Sequence, residues 1–133
     1  MPPDLQIQTR SEVVDIPWLL HVLKSSYWGY HYTLNSLMRA VDHSLCFSAF
    51  IGAKQVGFCR VITDSAIVSM LTDVYVDVDF RRQGIGAAMM EAALTHRQVA
   101  GTICILQCRP ENVALYTKFK FVPVGGIYKR DPQ

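Results

Sequence analysis

Residues 69–90, SMLTDVYVDVDFRRQGIGAAMM, constrain this chain more than any other stretch. The first half belongs to a β-branched, alternating run that predicts a long strand over 66–78. From Ile85 the period changes: Ile85, Ala88, Met89, Ala92 and Ala93 recur at helical spacing, leaving Glu91 and Arg97 on the outward face. Between strand and helix stands RRQGIG, Arg81 to Gly86. It offers two fixed positive charges, glycines that let backbone N–H groups come close to a ligand, and a helix N-terminus directly behind. Such a turn suits an anion and reads as a pyrophosphate cradle.

Upstream, LQIQT (5–9) alternates as a short first strand. Ile16, Leu19, Leu20 and Leu23 then repeat at helical spacing behind Asp15, a candidate N-cap, with Pro17 in the first turn; this predicts a helix ending near Lys24. The segment SSYWGYHY (25–32) packs Tyr27, Trp28, Tyr30, His31 and Tyr32 around Gly29. Those rings either line a pocket or cap the core. A second helix is expected from Thr33 or Asn35 to about His43, with Leu34, Leu37, Met38 and Val41 on one stripe. From Leu45 the period becomes short and β-like: LCFSAFI, then VGFCRVIT, then the strand at 66–78, joined by turns at Gly52–Lys54 and Asp64–Ser65.

Downstream, Gly101 is expected to stop the helix that follows the cradle. TICILQC (102–108) reads as a strand buried on both faces. Pro110 breaks the chain, ENVALYTKF forms a short helix, and FVPV (121–124) is expected as a last strand. A strand, a helix and a parallel strand appended to an antiparallel meander make an α+β fold. Its mixed sheet is mostly antiparallel with one parallel β-α-β crossover, flanked by about four helices. The length, 133 residues, suits a single domain, 1–133.

Charge and cysteine usage exclude other classes. A net charge of +2 gives no polycation field for nucleic acid, so none is expected as a partner. Cys46, Cys59, Cys104 and Cys108 sit in apolar runs with no CxxC pair and no His at zinc-ligand spacing, so they read as buried reduced thiols and no metal is expected. His21, His43 and His96 read as surface histidines. The start of the chain lacks a secretory pattern, and no run reaches the ~18 apolar residues of a membrane span, which predicts a cytoplasmic protein with no membrane partner.

Taken together, Arg-x-x-Gly-x-Gly at Arg81, Gly84 and Gly86, the strand before it, the helix after it, and Asn112, Leu115, Tyr116 and Phe121 downstream resemble the GCN5-related N-acetyltransferase (GNAT) family over nearly the whole chain. A Rossmann dinucleotide loop would need a third glycine where Met89 stands and an acid closing the next strand, which has none.

The resemblance implies acetyl-CoA as cosubstrate. It places the pyrophosphate on Arg81, Arg82, Gln83, Gly84, Ile85, Gly86 and Ala87, and the pantetheine arm along the main chain of Val74 and Val76, with Asn112 holding the donor. Tyr116 corresponds to the family's general acid for the thiolate. The base is open: relatives carry a glutamate where this chain has Thr72. The nearest acid, Asp73, lies one step along, on the opposite face unless a bulge re-aims it; His31 or a water chain through the aromatic segment are the alternatives. Tyr27, Trp28, Tyr30 and His31 are the acceptor-contact candidates. Lys120 stands where relatives carry glycine, at a cost on the order of 1 kcal/mol if the position is left-handed. The implied activity is acetyl transfer from acetyl-CoA to the primary amine of a small molecule. The alternatives are transfer to protein or peptide amines, or a non-catalytic CoA-binding module. The family's habit of dimerising makes a homodimer an expectation too.

Overall fold

The structure, a computed structural model, describes residues 2–132. Five strands, β1 (Leu5–Gln8), β2 (Leu45–Ile51), β3 (Lys54–Thr63), β4 (Val68–Val76) and β5 (Ile103–Ile105), form one sheet in sequence order. The first three pairings are antiparallel, and β4 with β5 is parallel. Four α-helices accompany them: α1 (Ile16–Lys24), α2 (Leu34–Asp42), α3 (Ile85–Thr95) and α4 (Val113–Thr117). The mixed sheet with its single crossover is the architecture expected from the changes of period.

Local chemistry explains where the early helices start. The Asp15 carboxylate accepts from Trp18 N at 3.1 Å, with Pro17 in the first turn. Thr33 opens α2 with a reciprocal pair: its hydroxyl accepts from Ser36 N at 3.1 Å, while Ser36 Oγ accepts from Thr33 N at 2.9 Å. On one face of the sheet, Leu19 and Leu23 of α1 and Leu37 and Val41 of α2 bury Cys46 and Phe58. The other face is covered by α3, whose Ile85, Met89, Met90 and Ala93 join Phe47, Ala49, Val61 and Leu71. The approach is close: a Cβ on Gly57 would lie 3.1 Å from Met89 Sδ and 3.2 Å from Ala49 Cβ.

Five expectations change. The helix α3 ends at Thr95, before Gly101, because His96 is extended (ψ 136) and residues 96–101 form turns that bury Val99. Strand β5 is only three residues long and covered on one face: Ile103 is 70% exposed and Ile105 46%, while Cys104 packs toward α3. Helices α1 and α2 sit over β2 and β3 and leave that end of the sheet bare. Residues 121–124 form no strand; Pro123 has no N–H to give a ladder, and Val122 and Val124 stay exposed. Finally, only Cys46 and Cys59 are buried; Cys104 and Cys108 are partly exposed, and all four thiols are free. His96 is also partly buried, its ring edge-on to Phe47 at 5.8 Å.

Candidate active site

The site grows from an irregularity in β4. Phe58 pairs with Tyr75 and Arg60 with Thr72, so the single residue Cys59 faces two, Asp73 and Val74. This β-bulge puts Asp73 in the left-handed region (φ 56), which an Asp tolerates better than most residues. Cross-strand partners share a face, so Thr72 lies on the side of Arg60. The bulge turns Asp73 to that same side, where strict alternation would have sent it to the other.

There Asp73 is 2% exposed and fully engaged. Its Oδ2 accepts from Arg60 Nε at 2.6 Å; its Oδ1 accepts from Trp28 Nε1 at 2.7 Å and from the Tyr32 hydroxyl at 2.8 Å. Arg60 Nη1 also donates to Ser44 Oγ at 3.1 Å. Burial opposes the guanidinium's charge, but Asp73 outweighs it and the Arg60 pKa is raised. Burial, followed by Asp73, pushes the Tyr32 phenol up to about 12.

The aromatic segment reaches Asp73 through a tight turn at the end of α1. Ser26 Oγ donates to Leu23 O at 2.6 Å and accepts from Gly29 N at 2.9 Å. Gly29 is buried, and a Cβ there would collide with the Leu23 carbonyl oxygen. From this turn the Trp28 ring meets Tyr27 edge-on at 5.0 Å, and the Arg109 guanidinium lies 4.1 Å over the Tyr27 ring.

Strand β5 pairs with β4 only from Val68 to Met70, then diverges. The wedge so opened holds a cavity of about 190 Å³ lined on one side by Leu71 to Val74 and on the other by Leu106 to Cys108, Asn112 and Tyr116; Tyr27, Trp28 and Tyr32 close it. Tyr116, from α4, is 9% exposed and meets the Phe121 ring edge-on at 6.0 Å. Burial pushes its phenol up to about 12, and Cys108, Cys59 and Tyr27 add to the effect. The phenol therefore keeps its proton at neutral pH.

At the far end of β4 the chain enters the cradle. Gly84 caps α3 at φ 83 and Arg82 adopts φ 62; Arg81, Arg82, Gln83 and Gly84 are exposed. The amides of Gly84, Ile85, Gly86 and Ala87 make no hydrogen bond among the described residues, as the first turn of a helix dictates. Arg81 is partly committed to the fold: its Nε donates to Val76 O at 2.9 Å and its guanidinium sits 5.4 Å over the Tyr75 ring. Arg82 has no ion pair among the described residues. A Cβ on Gly86 would meet nothing nearer than Val76 Cγ2 at 3.8 Å, so folding alone does not require glycine there. Open amides, a bare cation and a small residue fit a pyrophosphate.

The family model of the acetyltransferase (GNAT) domain matches residues 42–123. A GNAT-family structure from Xanthomonas campestris pv. campestris is 30% identical, superposes with a TM-score of 0.89, and covers 97% of this chain and 96% of its own. The chain belongs to the GNAT family. Two further acetyltransferases share the fold. A GNAT protein from Streptococcus pneumoniae TIGR4 is 24% identical (TM-score 0.71, covering 96% of this chain and 99% of its own). Glucosamine-6-phosphate N-acetyltransferase from Arabidopsis thaliana is 18% identical (TM-score 0.71, covering 96% and 97%). No curated protein matches in sequence.

In this GNAT chain, Tyr116, Asn112, Asp73, Val74, Tyr27 and Trp28 surround one cavity, while Arg81 to Ala87 lie apart from it, in the turn and first helical residues beyond the end of β4. Tyr30, 67% exposed, and His31, also exposed, do not line the cavity. Tyr32 and Arg60 complete the arrangement around Asp73. The signal for Arg60 was present: it is the only charge inside the apolar run VGFCRVIT, facing a strand with a single acid. Lys120 adopts φ 69, the left-handed geometry expected where relatives carry glycine.

Proposed function

We propose that this chain transfers an acetyl group from acetyl-CoA to the primary amine of a small acceptor. The observation that carries the reading is Tyr116: a buried phenol that keeps its proton, placed in the wedge between β4 and β5, with the open amides of Gly84 to Ala87 at the start of α3, beyond the end of β4.

Acetyl-CoA, when bound, supplies the acetyl thioester. The cradle amides and Arg82 hold the pyrophosphate, and the unpaired edge of β4 beyond Met70 offers main-chain groups to the pantetheine arm near Val74, with Asn112 at the cavity wall. The acceptor enters between Tyr27, Trp28 and Tyr32, whose rings favour an ammonium ion. The ammonium gives one proton to water in the cavity, the N–C bond forms as the C–S bond breaks, Tyr116 gives its proton to the departing sulfur, and the second proton that the acylated nitrogen sheds returns through water to the Tyr116 oxygen. We do not assign Asp73 as the base, because taking a proton would cost it the pair with Arg60. A small acceptor matches a cavity of about 190 Å³. Free thiols fit a reducing cytoplasm.

Calorimetry with acetyl-CoA, followed by free-thiol release across a panel of small amines and peptides, tests this. Micromolar binding and turnover of a small amine are expected. A folded protein that binds no acetyl-CoA would overturn the reading, and turnover of peptides alone would move the acceptor to protein N-termini.

A further inference from the structure

The buried acid of β4 and the buried cation of β3 do not meet the cradle, and Arg60 is not among the residues lining the cavity. Their contacts run elsewhere. Of the hydrogen bonds that Asp73 accepts, one comes from Arg60 and two come from the aromatic segment, which otherwise hangs on the Gly29 turn. Trp28 and Tyr32 both line the cavity, and both are fixed to the same carboxylate oxygen. Arg60 fixes the other oxygen and is itself held through Ser44, whose hydroxyl donates to Ala40 O of α2 at 2.6 Å.

We propose that Asp73 and Arg60 are positioning residues that dock the Trp28–Tyr32 wall onto the β4 bulge and so set acceptor affinity. The docking rests on geometry alone; its consequence for the acceptor rests on the acetyltransfer reading. The bulge supplies the reason for an acid in left-handed geometry: with regular alternation its carboxylate would face α3, away from both rings. Arg60 supplies the charge that makes a buried carboxylate tolerable, and a charged acceptor binds the two donors more strongly than a neutral one. Because the wall is tied at its inner end while Tyr30 and His31 lie outside, the ion pair, whose Asp73 side chain is fully buried, sets the shape of the cavity through the rings it holds.

The test separates docking from chemistry. Trp28 and Trp18 are the only tryptophans, so a ¹H–¹⁵N spectrum shows two indole N–H signals. Removing the charge with Arg60→Gln is expected to speed hydrogen exchange at the Trp28 indole by about tenfold or more, with Trp18 unchanged, and Arg60→Lys is expected to restore most of the protection. Tyr32→Phe, a milder change that keeps the protein folded if Arg60→Gln does not, is expected to speed the same exchange. Arg60→Gln, which alters no side chain lining the cavity, should also raise KM for the best amine of the panel about tenfold, with kcat within about threefold and acetyl-CoA affinity unchanged. Unchanged Trp28 exchange in these variants would overturn the docking. A fall in kcat at constant KM would overturn the positioning role. The exchange measurement needs no substrate, so it stands or falls apart from acetyl transfer.

Discussion

Arg60 Nε stands 2.6 Å from Asp73 Oδ2 across the bulged β3–β4 pair, with the Asp73 side chain fully shielded from solvent. A buried pair of this kind is costly to break from one side, because the surviving charge loses its compensation while remaining out of water.

Arg60→Met is therefore expected to destabilise the fold by about 3–5 kcal/mol. Adding Asp73→Asn removes the stranded charge, so the double variant is expected to be more stable than Arg60→Met alone. Urea denaturation of both variants reads this directly; a double variant weaker than the single would show that the two residues do not act as a pair.

Tyr116 is the residue whose chemistry and packing are most easily separated. Phe fills the same space against Phe121 and keeps the buried ring, while losing the proton donor. Tyr116→Phe is expected to lower kcat by about 10²-fold or more with acetyl-CoA affinity unchanged. Steady-state thiol release together with calorimetry measures the two quantities.

The phenols of Tyr32 and Tyr116 are both raised from 10.0 to about 12. A phenol whose pKa is higher folded than unfolded favours the fold while it is protonated. Its contribution is complete below pH 10 and is lost as pH rises toward 12. Burial also raises the thiols of Cys46, Cys59 and Cys104 from 9.0, so thermal melts from pH 7 to pH 12 are expected to show a Tm that begins to fall near pH 9 and falls more steeply above pH 10, and the part of the fall above pH 10 should be shallower in Tyr116→Phe.

What the sequence reveals follows the range of the interaction. The cradle is local: strand, RRQGIG and helix are contiguous, and Gly84 at φ 83 with open amides behind it is what that order of residues forces. Tyr116 likewise sits on the short helix α4, and Lys120 in the turn just beyond its end. Asp73 depends on distant partners, Trp28 and Tyr32 more than forty positions away, and on a bulge that adds one residue to β4. Alternation predicts the wrong face for it because period-2 reasoning assumes an unbroken ladder. FVPV shows the complementary limit: a β-prone run with a proline finds no strand beside it, and propensity alone does not supply one.

Gly86 separates the demands of folding from those of the ligand. Its N-terminal place in α3 and the 3.8 Å clearance to Val76 Cγ2 leave room for a methyl group. Gly86→Ala is expected to stabilise the chain by about 0.5–1 kcal/mol through helix propensity while still binding acetyl-CoA. A longer side chain adds bulk to the turn that carries the open amides of Gly84 to Ala87, starting from a Cβ within van der Waals range of Val76 and Leu115. Gly86→Leu is thus expected to fold, with a melting curve near that of the parent, and to lose acetyl-CoA affinity by about tenfold or more, the effect of blocking charge-assisted amide contacts. Loss of folding in Gly86→Ala would mean that the helix itself needs this glycine. Undiminished affinity in Gly86→Leu would place the pyrophosphate somewhere other than the first turn of α3.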